Sequence, residues 1–411
     1  MNKFVTSTSR DDQPLLSEFA LEGKAAAELL GRTEDEQLVA GYYHTFREIL
    51  QQPATWPKTG SQLASMSGDL QKLINGVRNL VLTGSGSSEY AGECVRGALQ
   101  NILSIPVQTV GGGTLLTHRG KAIGPGRPGL MVSLGRSGDS PESVGAVSVI
   151  LSSEPEINHL VVTCNAEGRL ANAFRDEPRV KVILLAEQTN DCSLVMTSSF
   201  TNMVLAAAFL GMLDTPDRYI KLVEDLSRKA EELLRTHIDT LAALAQLNFA
   251  RVIFLASGAG LGAARESALK MLEMTAGRVW ATSESYLGLR HGPMSAVHPD
   301  TLVVCFLSSD LLVRAYECDL IRELNDKQLG KAKLIFGDSI PADLAQPQDV
   351  VIECNGLREL GDDNVPVLDV LLGQLLAFFR CLQEGLKPDS PSDGGVISRV
   401  VQEFRLHAPE D

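Results

Sequence analysis

The sequence predicts an α/β protein: two tandem copies of a parallel-sheet unit behind an N-terminal helical segment. Short apolar runs without polar alternation recur at 78–84 (RNLVLTG), 128–135 (PGLMVSLG), 158–164 (NHLVVTC) and 179–186 (RVKVILLA). Helical stretches separate them, the pattern of strands covered on both faces. The rhythm then restarts. FARVIFLASGAGLGAARESALKMLE (249–273) echoes VRNLVLTGSGSSEYAGECVRGALQ (77–100), and TLVVCFLSSDLLVRAYE (301–317) echoes GLMVSLGRSGDSPESVG (129–145). The offset, 251 − 78 = 173 residues, is too long for a solenoid repeat and fits two homologous α/β domains.

Taken in order, residues 1–77 read as helical. Residues 15–30 are rich in Leu, Ala and Glu, and Leu38, Tyr42, Phe46, Ile49 and Leu50 recur at helical spacing. Pro53 and Pro57 are expected to break that helix. Residues 78–215 form the first domain, 216–248 a helical connection, 249–386 the second domain and 387–411 a C-terminal tail.

Composition narrows the function. The chain has 411 residues, 44% of them hydrophobic, with 37 Lys and Arg against 51 Asp and Glu, a net charge of −14. That is an ordinary globular composition. The acidic balance argues against binding along nucleic-acid phosphates, which needs clustered cations. Residues 1–77 carry 7 Lys and Arg against 10 Asp and Glu, so a basic DNA-reading segment is not expected there either. The seven cysteines, Cys94, Cys164, Cys192, Cys305, Cys318, Cys354 and Cys381, are odd in number and never paired as CxxC. They read as reduced thiols, four of them in apolar or helical contexts (Cys94, Cys164, Cys305, Cys381). The start has no apolar core of signal-peptide length. The longest apolar run, 203–213, falls short of the roughly 18–20 residues that span a bilayer. A cytoplasmic protein without membrane partners is expected.

In open parallel sheets, ligands bind beyond the carboxyl ends of the strands. Two Gly/Ser turns lie there, GSGSSE after Thr83 and GRSGDS after Leu134. Each combines backbone N–H groups at a helix start with hydroxyls, which suits a phosphate. Ser85, Ser87, Ser88, Ser137 and Ser140 are candidate donors, and Arg136 is a candidate local cation. Serines at such turns also cap helices. Neither turn is a Walker A loop, and GSGSSE is not GxGxxG. The second half lacks these serines in GAGLGAAR. Instead it carries Glu266, Lys270 and Glu273 at i, i+4 and i+7, on one helix face. Such a face is either chemistry or a surface salt-bridge ladder. His291, in the loop SYLGLRHGPMS (285–295), is a candidate acid/base group. A carboxylate, a lysine and a histidine beside a phosphate pocket suit proton transfer between adjacent carbons of a sugar phosphate. With no HxH or HExxH pattern, metal-free chemistry without a cofactor is expected.

GSGSSEYAG (84–92), SLGRSGDSPES (133–143), ARESALKMLEMTAG (264–277) and RHGP (290–293) together resemble the sugar isomerase (SIS) domain family. Two tandem copies follow the plan of the isomerase half of glucosamine-6-phosphate synthase. REILQQPATW (47–56), DCSLVMTSSFTNM (191–203), LGLRHGP (287–293) and DSPSDGGVISRVVQ (389–402) resemble the AgaS-type galactosamine-6-phosphate deaminase/isomerases, also labelled tagatose-6-phosphate ketose/aldose isomerases. The resemblance runs from about residue 40 to the end.

It implies two flavodoxin-like αβα sandwiches, each with a five-stranded parallel sheet. It implies that Ser88, Ser137 and Ser140, with the backbone of Gly135, Arg136 and Gly138, bind the sugar phosphate. Glu273 matches the proton-transfer carboxylate, Lys270 its supporting lysine, and His291 the ring-opening histidine, which in the synthase crosses a dimer interface. Thr197 matches the sugar-binding wall. A homodimer or higher oligomer with shared sites is therefore expected. Two departures stand out. The synthase's C-terminal lysine aligns with Glu384 or is missing, with Lys387 nearby. The start, Met1-Asn2, has no catalytic cysteine and no glutaminase half is read, so release of ammonia is the expected direction. The alternatives are an aldose–ketose isomerase on an unaminated hexose phosphate and a non-catalytic sugar-phosphate sensor.

Overall fold

The computed structural model describes residues 23–407 apart from residue 393. Residues 15–22 of the expected first helical stretch lie outside them. Five helices open the described chain: Lys24–Leu30, Glu34–Ala40, Tyr43–Leu50, Gln52–Ser65 and Ser67–Ile74. Thr33 and Glu36 close a capping box at the second of these.

The helix Tyr43–Leu50 ends ahead of Pro53, as expected, but Pro57 breaks nothing: it sits inside Gln52–Ser65, with Pro53 in the first turn. A proline there leaves the carbonyl four residues back without its helical donor. That carbonyl belongs to Pro53, and it accepts a hydrogen bond from Ser227 Oγ at 2.8 Å. The defect is thus satisfied by the long connecting helix, Pro216–Ala245.

The first sheet contains β1 (Asn79–Gly84), β2 (Val107–Gly111), β3 (Gly129–Gly135), β4 (Ile157–Thr163) and β5 (Val180–Leu184), in spatial order β2-β1-β3-β4-β5. The second contains β6 (Arg251–Ala256), β7 (Trp280–Ser285), β8 (Thr301–Phe306), β9 (Ala332–Gly337) and β10 (Val350–Glu353), in order β10-β9-β8-β6-β7. Read from its β7 edge, the second order repeats the first. Every pairing in both sheets is parallel. β1, β3, β6, β8 and β9 are buried along their whole length or nearly so, as strands covered on both faces are, and the charge inside β9, Lys333, pairs with Asp349 at 2.8 Å.

Two helices join the halves. Ser87–Leu103 follows β1, and Gly260–Met274 follows β6. They meet at Gly262, where a Cβ would lie 2.7 Å from the Cys94 backbone nitrogen and 3.0 Å from the Tyr90 carbonyl oxygen. Glycine permits that backbone approach. An Arg265–Glu93 ion pair flanks the crossing.

The N-terminal helices are built into the same core. Phe46 stacks on Phe378 with centroids 4.7 Å apart, and Trp56 Nε1 donates to Thr201 Oγ1 at 3.0 Å. Phe378 lies in Pro366–Gln383, the one helix among the described residues long and apolar enough to cross a membrane. Some 89% of its apolar window is buried inside the protein, so the core of this chain already accounts for its hydropathy.

Candidate active site

The first turn begins where β1 ends. A Cβ on Gly84 would lie 2.5 Å from that of Ser88, and Gly86 has φ +58°, so both positions need glycine. Ser87 and Ser88 then start the helix and are buried. Ser88 Oγ lies 4.0 Å from Met196 Sδ, and Ser85 Oγ faces Gly112. In the second turn, Gly135 ends β3 and Gly138 has φ +66°. Ser137 Oγ accepts from the Asp139 N–H at 3.3 Å, and Asn165 Nδ2 donates to the Ser137 carbonyl at 2.8 Å.

Capping does not explain these serines. Ser140 is the N-cap of Pro141–Ser153, yet its side chain makes no cap hydrogen bond; its Oγ pairs with Ser143 Oγ at 2.7 Å. The N-cap of the helix after β1 is Gly86.

The face carrying Glu266, Lys270 and Glu273 is no surface ladder. Glu266 and Lys270 side chains are fully buried, and the Glu273 side chain is 23% exposed. Lys270 Nζ lies 3.2 Å from Glu266 Oε1 and in direct contact with Glu273 Oε2. It also donates to Ser87 Oγ at 3.1 Å. Burial alone depresses a lysine, but the two carboxylates outweigh it and hold the Lys270 ammonium above its usual range. Burial pushes Glu266 up to about 7, against the pull of Lys270. The result is a fixed ammonium clamped between carboxylates, with only Glu273 open to solvent. Glu273 can exchange a proton with a bound molecule, and Lys270 can stabilise negative charge developing beside it.

Arg136 stands differently from its expected role as a phosphate cation. Its guanidinium is buried and donates to three backbone carbonyls: Ser193 at 3.1 Å, Val195 at 3.0 Å and Arg399 at 2.9 Å. It ties the 191–197 loop and the C-terminal tail to the second turn. Thr197 is buried, and Asp191 holds it through its N–H at 2.7 Å and its hydroxyl at 3.1 Å. Asp191 also accepts from the Ser198 and Ser199 N–H groups at 3.1 and 3.0 Å. Glu48 braces the same loop, accepting from the Cys192 N–H at 2.5 Å and from Ser193. Burial, then the neighbouring Asp191 charge, push Glu48 up to about 8.

Sequence reasoning missed Asp191, Glu48, Met196 and Arg399 as organisers of this wall. Asp191 and Glu48 do occur in the quoted segments DCSLVM and REILQQP, but their partners are distant in sequence.

His291 is exposed on the turn after the short helix Tyr286–Leu289, where its N–H donates to the Gly288 carbonyl at 2.9 Å. Among the described residues nothing hydrogen-bonds its ring, and no contact joins it to the Lys270 cluster. Leu287, Leu311, Leu312 and Tyr316 are exposed in this half, between 45% and 69%. Glu384 is engaged by Arg380 at 2.6 Å, and the Lys387 stem packs over Gly41 beside the N-terminal helices.

No protein-family model matches the chain. A Streptomyces coelicolor protein, provisionally named D-galactosamine-6-phosphate deaminase AgaS, is 36% identical over 376 residues, 90% of this chain and 96% of that protein. The D-galactosamine-6-phosphate deaminase AgaS of a Shewanella species is 32% identical over 90% of this chain and 94% of its own length. The chain belongs to the AgaS-type group of the tandem sugar isomerase (SIS) family. Its fold agrees. The crystal structure of a Clostridium novyi protein, provisionally described as a tagatose-6-phosphate ketose/aldose isomerase, superposes with a TM-score of 0.86 and 30% identity, covering 93% of this chain and 99% of that one. In this AgaS-type chain both halves keep the sugar isomerase sheet, while the serine turns occur in the first half and the Lys270 cluster in the second.

Proposed function

We propose that this protein, a sugar-phosphate isomerase/deaminase by family, converts D-galactosamine 6-phosphate and water to tagatose 6-phosphate and ammonia. The observation that carries this reading is Lys270, which touches Glu273 and the phosphate-turn residue Ser87 at once. It supports a proton-transfer role for Glu273 beside a turn suited to an anion.

In the proposed reaction Ser88, Ser137 and Ser140, with Ser85, Ser87 and the N–H groups of Gly135, Arg136 and Gly138, bind the phosphate. Arg136 contributes its backbone, its side chain being committed to the loop. His291 opens the ring. Glu273 takes the C2 proton of the open amino-aldehyde, O1 gains a proton, and a C1–C2 enaminol forms with Lys270 beside the developing charge. Reprotonation at C1 leaves a 2-imine. Water adds at C2, the C–N bond breaks, and ammonia leaves as the C2 carbonyl forms. The galacto substrate and the tagatose product share their C4 configuration.

We further infer a homodimer in which His291 serves the partner's site. Its bare ring and the exposed apolar side chains Leu287, Leu311, Leu312 and Tyr316 support this.

Ammonia release from galactosamine 6-phosphate by purified protein tests the reading. The expected result is stoichiometric ammonia and ketose phosphate. Turnover of an unaminated hexose phosphate without ammonia would replace it with the aldose–ketose isomerase that the described activity of the Clostridium novyi relative favours. A non-catalytic sensor has no use for a lysine buried between two carboxylates, since desolvating such charges is costly.

A further inference from the structure

The fold gathers a second set of reactive groups, distinct from the Lys270 cluster. His44 and Glu48 lie at i and i+4 on the helix Tyr43–Leu50, so both point from one face. Cys192 arrives from the loop between β5 and the helix Ser198–Ala208. One imidazole nitrogen, one carboxylate oxygen and the sulfur lie within 4.8 Å of one another. The backbone fixes this meeting, because Glu48 Oε1 accepts from the Cys192 N–H at 2.5 Å. A carboxylate offers about four lone-pair sites. Cys192, the Ser193 N–H and the Ser193 hydroxyl take three, leaving capacity for one more partner. All seven cysteines are free, and Cys192 is the one that is exposed.

We propose that His44, Glu48 and Cys192 form a binding site for a zinc-class divalent cation, with an open fourth position. The donor set selects the class. A thiolate and an imidazole favour zinc-like ions over magnesium or calcium, which prefer all-oxygen shells. A bound ion would displace the protons of Cys192 and Glu48, and the resulting thiolate and carboxylate with a neutral imidazole carry two negative charges, matching one divalent ion. The geometry asks for modest closure, since ligand bonds of about 2.0–2.3 Å require the three atoms to draw nearer than they stand. His44 is half-buried and Cys192 exposed, so their side chains have room to turn. A bound ion would fasten the 191–197 loop, and with it Thr197, to the N-terminal helix.

The test uses full-length protein, reduced and stripped with a chelator, titrated with Co²⁺ as an optical probe and then with Zn²⁺. The expected result is one Co²⁺ per chain with a thiolate-to-cobalt charge-transfer band, displaced by Zn²⁺. Cys192→Ser, at an exposed position, should abolish the band while circular dichroism stays unchanged. His44→Ala should weaken binding by at least about tenfold. Absence of the band in the unaltered protein at millimolar cobalt, or its persistence in Cys192→Ser, would overturn the proposal.

Discussion

Lys270 and Ser87 belong to different halves of the chain, yet the ammonium of one donates to the hydroxyl of the other at 3.1 Å. The serine lies in the first turn of its helix, directly beyond β1. The lysine is buried between Glu266 and Glu273 on the corresponding helix of the other half. The two halves repeat one sheet order, and on the proposed reading anion binding falls to the first and proton transfer to the second.

Glu273→Gln keeps the shape and removes the base. Turnover should fall by about 10²–10⁴-fold. Exchange of the C2 proton with solvent should stop, while the affinity for a sugar phosphate changes little. Deuterium incorporation followed by NMR, beside a binding titration, checks both; full activity would remove Glu273 from the mechanism.

Ser140→Ala separates anion binding from capping. Because Ser140 does not cap its helix, stability should stay within about 0.5 kcal/mol. KM for the sugar phosphate should rise several-fold with kcat nearly unchanged. A fall in melting temperature with no change in KM would make the serine structural.

Arg136→Met frees three carbonyls that the guanidinium now binds. Bonds from a charged donor contribute about 1.5–3 kcal/mol each. The variant should lose at least about 2 kcal/mol in denaturant unfolding without any ligand. If the side chain bound only phosphate, ligand-free stability would be unchanged.

His159 gives a pH signature. Both its ring nitrogens are buried without a partner among the described residues. Burial first, then Arg179, depress it to about 4, from an ordinary value of 6.5. The folded state therefore binds fewer protons than the unfolded one between those values. Its contribution is constant above about pH 6.5, and stability falls as pH drops from there towards 4, by up to about 3 kcal/mol. His159→Leu should flatten this acid limb in unfolding curves taken from pH 7 to 4.

Much of the fold is legible because buried parallel strands are written as apolar runs; β1, β3, β6 and β8 follow that rule, and β4 does so from Leu160 to Val162. β2, VQTVG, is short with polar members, and β10 has four residues, so neither stands out from a loop. Pro57 misleads because the group that rescues its helix, Ser227, is far away in the chain. The same distance separates what was visible in the site from what was not. Ser87, Lys270 and Glu273 can be named from local patterns. That Arg136 spends its charge on Ser193, Val195 and Arg399, and that Cys192 meets His44, depends on where loops cross, which no local spacing encodes.

Where Gly262 rests on the backbone at Cys94, the two helices leave no slack for one lobe to swing or slide past the other. A joint packed this closely resists a jaw-like closure of one lobe on the other. For the proposed reaction, traffic of substrate and ammonia would fall to smaller parts, the serine turns and the segment around Arg399 that Arg136 contacts. The pace of turnover would then be set by those rims opening, with the joint between the lobes rigid throughout.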